Sequence, residues 1–104
     1  MPNILHNITT KIDHSIKADF LQFMQRDYIP HLMESGVFES YRFCRLLGVD
    51  ESDGLTYALQ LILSSRPAFD VYQETQAYAH QKMFEERFKG QLVVFRSVLE
   101  EVEA

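Results

Sequence analysis

Residues 55–63, LTYALQLIL, place Leu55, Tyr57, Leu59, Leu61 and Leu63 at every second position. Side chains of an extended strand point alternately to its two faces. A strict period of two therefore commits the segment to a strand with one apolar side. The same spacing in a helix would scatter the five side chains around its circumference and leave no common face to bury. Residues 4–12, ILHNITTKI, repeat the pattern, with Ile4, His6, Ile8, Thr10 and Ile12 sharing one face. Two such strands call for a sheet, and the rest of the chain has to be fitted to it.

Asp13 or Ser15 can cap a helix after the first strand, by accepting from an early helical N–H. Ile16, Phe20, Phe23, Met24 and Tyr28 then recur at helical spacing, and Gly36 marks the end. Inside this stretch stands Pro30, which cannot donate a backbone N–H and which biases Ile29 away from helical angles. The helix is expected to kink or stop near Ile29 and resume from His31 to Glu34. Residues 37–48 read as a second strand. Asp53-Gly54 marks a turn into the third. Ser64 or Ser65 followed by Pro67 opens a second helix, with a core stripe of Phe69, Tyr72, Gln76, Ala79 and Met83. Lys89-Gly90 closes it, and residues 92–102 form the fourth strand. The order β-α-β-β-α-β predicts a ferredoxin-like α+β fold, with two helices on one face of a four-stranded antiparallel sheet. With 104 residues, a single domain spanning 1–104 is expected.

Two helices cover only one side of such a sheet. The other side should then be polar, yet strand 3 offers Thr56, Ala58, Gln60 and Ile62 there, and strand 4 is apolar on both faces. A semi-apolar uncovered face predicts a homodimer joined through the sheets.

Composition narrows the function. The net charge of −5 opposes phosphate-backbone binding. Strand 1 has no aromatic residue and strand 3 only Tyr57, so the base-stacking platform of RNA-recognition domains is missing. The N-terminal residues lack the cationic and apolar runs of a secretory signal. No apolar stretch approaches the ~20 residues that span a bilayer. A cytoplasmic setting is expected, with no nucleic-acid or membrane partner. Phosphate-cradling loops, a nucleophile elbow and the His-Glu-x-x-His zinc motif are all absent. One cysteine, Cys44, has no evident base beside it and reads as a buried, inert thiol.

The stretches FLQFMQRDYIPHLMESGVF at 20–38, GLTYALQ at 54–60 and RFKGQLVVFRSVLEEV at 87–102 resemble a bacterial family of domains of unknown function, the one numbered four-two-eight-six. With the first strand they span nearly the whole chain. The resemblance implies a ferredoxin-like fold of the dimeric α/β-barrel group, which includes small monooxygenases and haem-degrading enzymes. It carries over no catalytic residue. Phe20 and Phe23 depart from the tryptophan expected in relatives, which bears on packing.

Four residues are candidates for ligand contact: Tyr28, His31, Gln60 and Arg96. Tyr28 and His31 flank Pro30, although Tyr28 also fits the core and His31 a solvated position. Arg96 interrupts an apolar strand face, where a guanidinium needs a carboxylate or a ligand anion. Glu39, Glu100 or a glutamate of a second copy are the expected partners. Gln60 is a polar residue in the middle of a strand. His31 and Glu34 share a helix face, but a metal needs further ligands, so neither a metal site nor a cofactor is expected. These features favour a small dimeric binding or accessory module. The alternative is a cofactor-independent monooxygenase or isomerase, acting on a small apolar or aromatic molecule held between helices and sheet.

Overall fold

A computed structural model describes residues 2–103. Among them, β1 (Ile4–Ile12), β2 (Ser40–Arg45), β3 (Leu55–Leu63) and β4 (Leu92–Glu100) form one sheet in the order β2-β3-β1-β4, every neighbouring pair antiparallel. The helices are α1 (Lys17–Phe23), α2 (Ile29–Glu34), α3 (Arg66–Thr75) and α4 (Ala77–Arg87). A 3₁₀ turn at His14–Ile16 leads into α1, and a π-helical turn at Met24–Tyr28 joins α1 to α2.

Register explains which face the helices take. Ile4 pairs with Leu63, Ile8 with Leu59 and Ile12 with Leu55. The two alternating sets therefore coincide on one side, and there every second residue of β1 and β3 is buried. Beneath the helices that side meets a layer of rings from Phe20, Phe23, Tyr28, Phe84 and Phe88. Tyr28 and Phe84 lie 4.9 Å apart between ring centroids, and Phe20 and Phe88 5.8 Å apart. The Asp13 carboxylate accepts from the Ser15 N–H at 2.9 Å. The Ser65 hydroxyl accepts from the Ala68 N–H at 3.3 Å. Asp13 thus caps the 3₁₀ turn that leads into α1, and Ser65 caps α3.

Four expectations need correction, three in the elements and one at Cys44. First, Pro30 does not push Ile29 away from helical angles, since Ile29 keeps φ −62° and ψ −47°. Its N–H reaches back five residues to the Met24 carbonyl. One wide turn absorbs the proline, relieving the clash of its ring with the carbonyl four residues back, and Pro30 then falls in the first turn of α2, where no N–H is needed.

Second, the second helix is two helices. The Thr75 hydroxyl donates to the Val71 carbonyl at 2.7 Å, a back-bond that bends helices. Gln76 at φ −126°, ψ −25° separates α3 from α4. The buried stripe after the break is Ala77, His80 and Phe84, in place of Gln76, Ala79 and Met83. Third, β2 is shorter than residues 37–48. Phe38 leaves the strand to pack edge-on against Tyr72 at 4.9 Å.

The opposite face of the sheet is open. Phe95 is 70% exposed there, Val93 56% and Leu99 47%. Cys44 pairs with Ala58 on this face and is exposed rather than buried, because β2 is an edge strand whose alternate side chains have nothing above them. No helix among the described residues is long and apolar enough to cross a membrane.

Candidate functional site

The buried helix side of the sheet is apolar apart from Thr10 and one corner, where β1, β4, α3 and α4 meet. Alternation puts His6 between Ile4 and Ile8 on the buried face of β1. Arg96 pairs with Ile8 across to β4, so it stands diagonally beside His6 on the same face. Tyr72 comes from α3 and His80 from α4, both buried, and the Tyr72 hydroxyl is hydrogen-bonded to His80 Nδ1 at 2.7 Å. In one unbroken helix, residues eight apart would lie about 12 Å apart along the axis. The break at Gln76 is what makes this pair.

The rings continue in both directions. His6 lies 5.4 Å from Phe69 and 6.2 Å from Tyr72, and His80 lies 5.2 Å from the exposed His31 on α2. A file of polar rings thus runs from the surface at His31, through His80 and Tyr72, to His6. Two recesses adjoin it. One, of about 260 Å³, is lined by His31, Glu34, Gln76 and His80. The other, of about 250 Å³, is lined by Ile4, Arg66, Phe69, Val98, Leu99 and Glu100.

Electrostatics give the corner its protonation states. Burial first, and the Arg96 charge second, lower the His6 pKa from 6.5 to about 4, while the Ser97 backbone pulls the other way. Burial, then His31, lowers that of His80. Burial raises Tyr28 to about 12, against the opposing pull of Arg96 and with a further push from Glu85. Tyr72 is raised too, by burial and then by Tyr28, with Arg96 opposing. At neutral pH the corner therefore holds a neutral His6, two protonated tyrosines and one guanidinium. Arg96 acts on His6, Tyr28 and Tyr72 alike, which sets its charge among them. Its Nη1 donates to Glu85 Oε1 at 3.1 Å. The partner is Glu85 of α4, neither Glu39 nor Glu100. Arg96 Nε, Arg96 Nη2 and His6 Nδ1 are buried and find no hydrogen-bond partner among the described residues.

Of the four candidates from the sequence, Tyr28, His31 and Arg96 lie on the helix side. Tyr28 is 1% exposed and stacked 5.7 Å from Phe23. Gln60 lies on the open side, between Asn7 and Arg42 in register. From the sequence, His6 and His80 enter only as remote further ligands for a metal at His31 and Glu34, Tyr72 only as core, and Glu85 not at all. His6 had a signal, a polar residue inside an apolar alternation. His80 had none, because its place depends on the slip at Gln76. Among the described residues no group of three or more His, Cys, Asp or Glu side chains could hold a metal ion.

The fold matches solved structures along its full length. A dimeric ferredoxin-like protein from an uncultured marine organism superposes with a TM-score of 0.71 at 10% identity, covering 100% of this chain and 99% of its own. SnoaB, a cofactor-independent oxygenase from Streptomyces nogalater, gives 0.65 at 11% identity, over 97% of this chain and 95% of its own. A hydroxynitrile lyase from Passiflora edulis gives 0.64 at 17% identity, over 98% and 97%. At such identities the likeness is one of fold, and the fold carries unlike chemistries. No curated protein matches the chain. Residues 3–102 match the family described as a domain of unknown function, DUF4286, and the chain belongs to that family.

Proposed function

We propose that this DUF4286 domain is a homodimeric binding module, in which two copies meet through their open sheet faces and each holds a small, largely apolar ligand on its helix side. The observation that carries the reading is the open face itself. Phe95 at 70%, Val93 at 56% and Leu99 at 47% exposure form an apolar surface that an isolated soluble domain seldom leaves uncovered. A two-fold axis through the face lets each copy cover the other. The dimeric ferredoxin-like neighbour supports this. In the dimer Gln60 and Cys44 belong to the interface, and Tyr28, His31 and Arg96 belong to the ligand side. The thiol at Cys44 favours a reducing, cytoplasmic setting.

A native mass spectrum tests the module. Twice the chain mass of 12.2 kDa is expected at micromolar concentration. Phe95→Asp, which puts a charge on the most exposed apolar residue of the face's β4 edge, is expected to give the monomer with unchanged circular dichroism. A wild-type monomer overturns the reading.

One observation supports a second reading, that of a cofactor-independent monooxygenase or isomerase acting on a small aromatic molecule. The buried Tyr72–His80 pair is the kind of hydrogen-bonded couple that moves protons in such chemistry, and SnoaB shares the fold. Turnover of quinol-type substrates, abolished by Tyr72→Phe, would establish it. Absence of turnover across the panel leaves the module.

A further inference from the structure

We propose that the recess between α2 and the break from α3 to α4 is a binding site for a small phenol, its hydroxyl held between the His80 ring, which donates, and the Glu34 carboxylate, which accepts. This rests on the reading of the helix side as the ligand side and names the ligand's chemistry.

Tyr72 fixes which nitrogen of His80 carries the hydrogen. The Tyr72 side chain is buried, and among the described residues its hydroxyl has His80 Nδ1 as partner, at 2.7 Å. Burial raises the Tyr72 pKa, so the hydroxyl keeps its hydrogen at neutral pH. A hydrogen on Nδ1 as well would leave the phenolic hydrogen buried without an acceptor, which is costly. Tyr72 therefore donates to Nδ1. Burial, then His31, lowers the His80 pKa, so the ring is neutral and its one hydrogen sits on Nε2.

That N–H has room in front of it. Among the described residues the buried side-chain atoms without partners belong to His6 and Arg96, and His80 Nε2 is not one of them. The His80 ring lines a recess of about 260 Å³ together with His31, Glu34, Ser35 and Gln76. Nε2 opens to that space.

The rest of the lining sets the ligand's charge. Glu34 is exposed at the end of α2 and brings a carboxylate. The Ser35 hydroxyl is already engaged, donating to the Leu32 carbonyl at 2.6 Å and accepting from the Val37 N–H at 3.3 Å. No lysine or arginine lines this recess. Arg66 lines the recess at Phe69, and Lys82 and Lys89 line one beside β4. An anion would meet Glu34 with no cation to offset it, and a cation would meet the hydrogen of His80. A neutral group that accepts from His80 and donates to Glu34 satisfies both, and a hydroxyl does so with a single oxygen.

The rings set its body. His31 and His80 lie edge to face, 5.2 Å apart between centroids and at 85°. A flat ring can stack on one and meet the edge of the other. A phenolic hydroxyl is also a stronger donor to a carboxylate than an aliphatic one, because it is the more acidic.

The test is a titration of the nitrogen-15-labelled protein, followed by the His31 and His80 ring resonances, with phenol, anisole and benzoate as probes. The His80 nitrogens are expected to show the Nε2–H tautomer, and phenol to move both histidines saturably. Anisole keeps the ring and the accepting oxygen but has no hydrogen for Glu34. It should bind about tenfold more weakly, one charge-assisted bond being lost. Benzoate, opposed by Glu34, should leave both histidines in place. Glu34 is exposed, so Glu34→Ala should fold normally and bring phenol and anisole together. Tyr72→Phe, which removes the group that positions the His80 ring, should mix the two tautomers and weaken phenol, and Glu34→Ala decides the matter if that variant folds poorly. The phenol site is overturned if His80 carries its hydrogen on Nδ1, if phenol and anisole bind the wild type equally, or if benzoate moves the two histidines as strongly as phenol. If phenol moves other helix-side signals but neither histidine, the module stands and this site falls. If no dimer forms, the module falls, and the histidine shifts still decide the site.

Discussion

β1 and β3 divide their side chains between two faces by the same alternation, yet the two faces obey different rules. On the helix side Leu59, Leu61 and Leu63 are 0–1% exposed, and the chain's own aromatic rings cover them. On the open side Ala58, Gln60 and Ile62 of the same strand are only partly covered, and Phe95 of β4 stands 70% exposed. Local pattern is alike on both faces. What differs is whether this chain supplies the covering layer. The helix side owes its stability to packing inside one subunit, whereas the open side would gain its own only through the proposed dimer.

Phe84→Ala and Phe95→Ala break that comparison most sharply. Phe84 is 0% exposed and touches Phe20, Phe23 and Tyr28 through ring contacts. Its truncation should cost ~3–5 kcal/mol in urea denaturation. Phe95→Ala should cost less than ~1 kcal/mol per subunit when measured dilute enough to dissociate any dimer. Equal costs would mean that the two faces are equivalent within one subunit.

On the helix side, acid acts through the buried histidines. His6 binds a proton at pH 6.5 unfolded but only at about 4 folded. Below pH 6.5 the unfolded chain takes up a proton that the folded chain refuses, so stability falls as pH drops from about 6.5 to about 4. From His6 the total loss is roughly 3 kcal/mol. His80, lowered in the same direction, adds to it. Urea midpoints recorded across this range should decline, and His6→Phe should flatten the decline. A slope that His6→Phe leaves unchanged would place the proton uptake elsewhere.

Gly54→Ala probes the seam between the faces. A Cβ there would lie 2.6 Å from the Ile12 carbonyl, a backbone atom fixed in β1. The expected cost is ~1–3 kcal/mol, read as a lower thermal midpoint. The smallest effect is at Pro30. Pro30→Ala loses some rigidity of the unfolded chain and gains an N–H, so stability should change by less than ~1 kcal/mol. A larger loss would show that the wide turn at Met24–Tyr28 depends on the ring itself.

Much of the helix side was readable in residues 4–12 and 55–63, because a period of two has one structural meaning over nine residues. The bounds of β1 and β3 follow directly. Asp13, Ser65 and Pro67 mark helix starts through local hydrogen bonds and fixed φ, which depend on few neighbours. The corner was readable only in part. Arg96 stood out as a charge in an apolar strand, and His6 was visible as a polar member of an apolar face. Tyr72 read as core, and His80 sat beside the expected stripe, because a continuous helix was assumed through Gln76.

The sequence by itself determined the order of elements, the pairing of alternating faces and the shortage of helices to cover both sides. Those are matters of period and count, and they hold whatever the strands later touch. Only the tertiary structure decided which face the helices take, that Gln76 breaks a helix and slips its stripe by one residue, and that Glu85 occupies one nitrogen of Arg96 and leaves two. Those outcomes depend on contacts between segments far apart in the chain. There a shift of one residue turns a helical side chain by about 100°, enough to exchange Ala79 for His80 in the core.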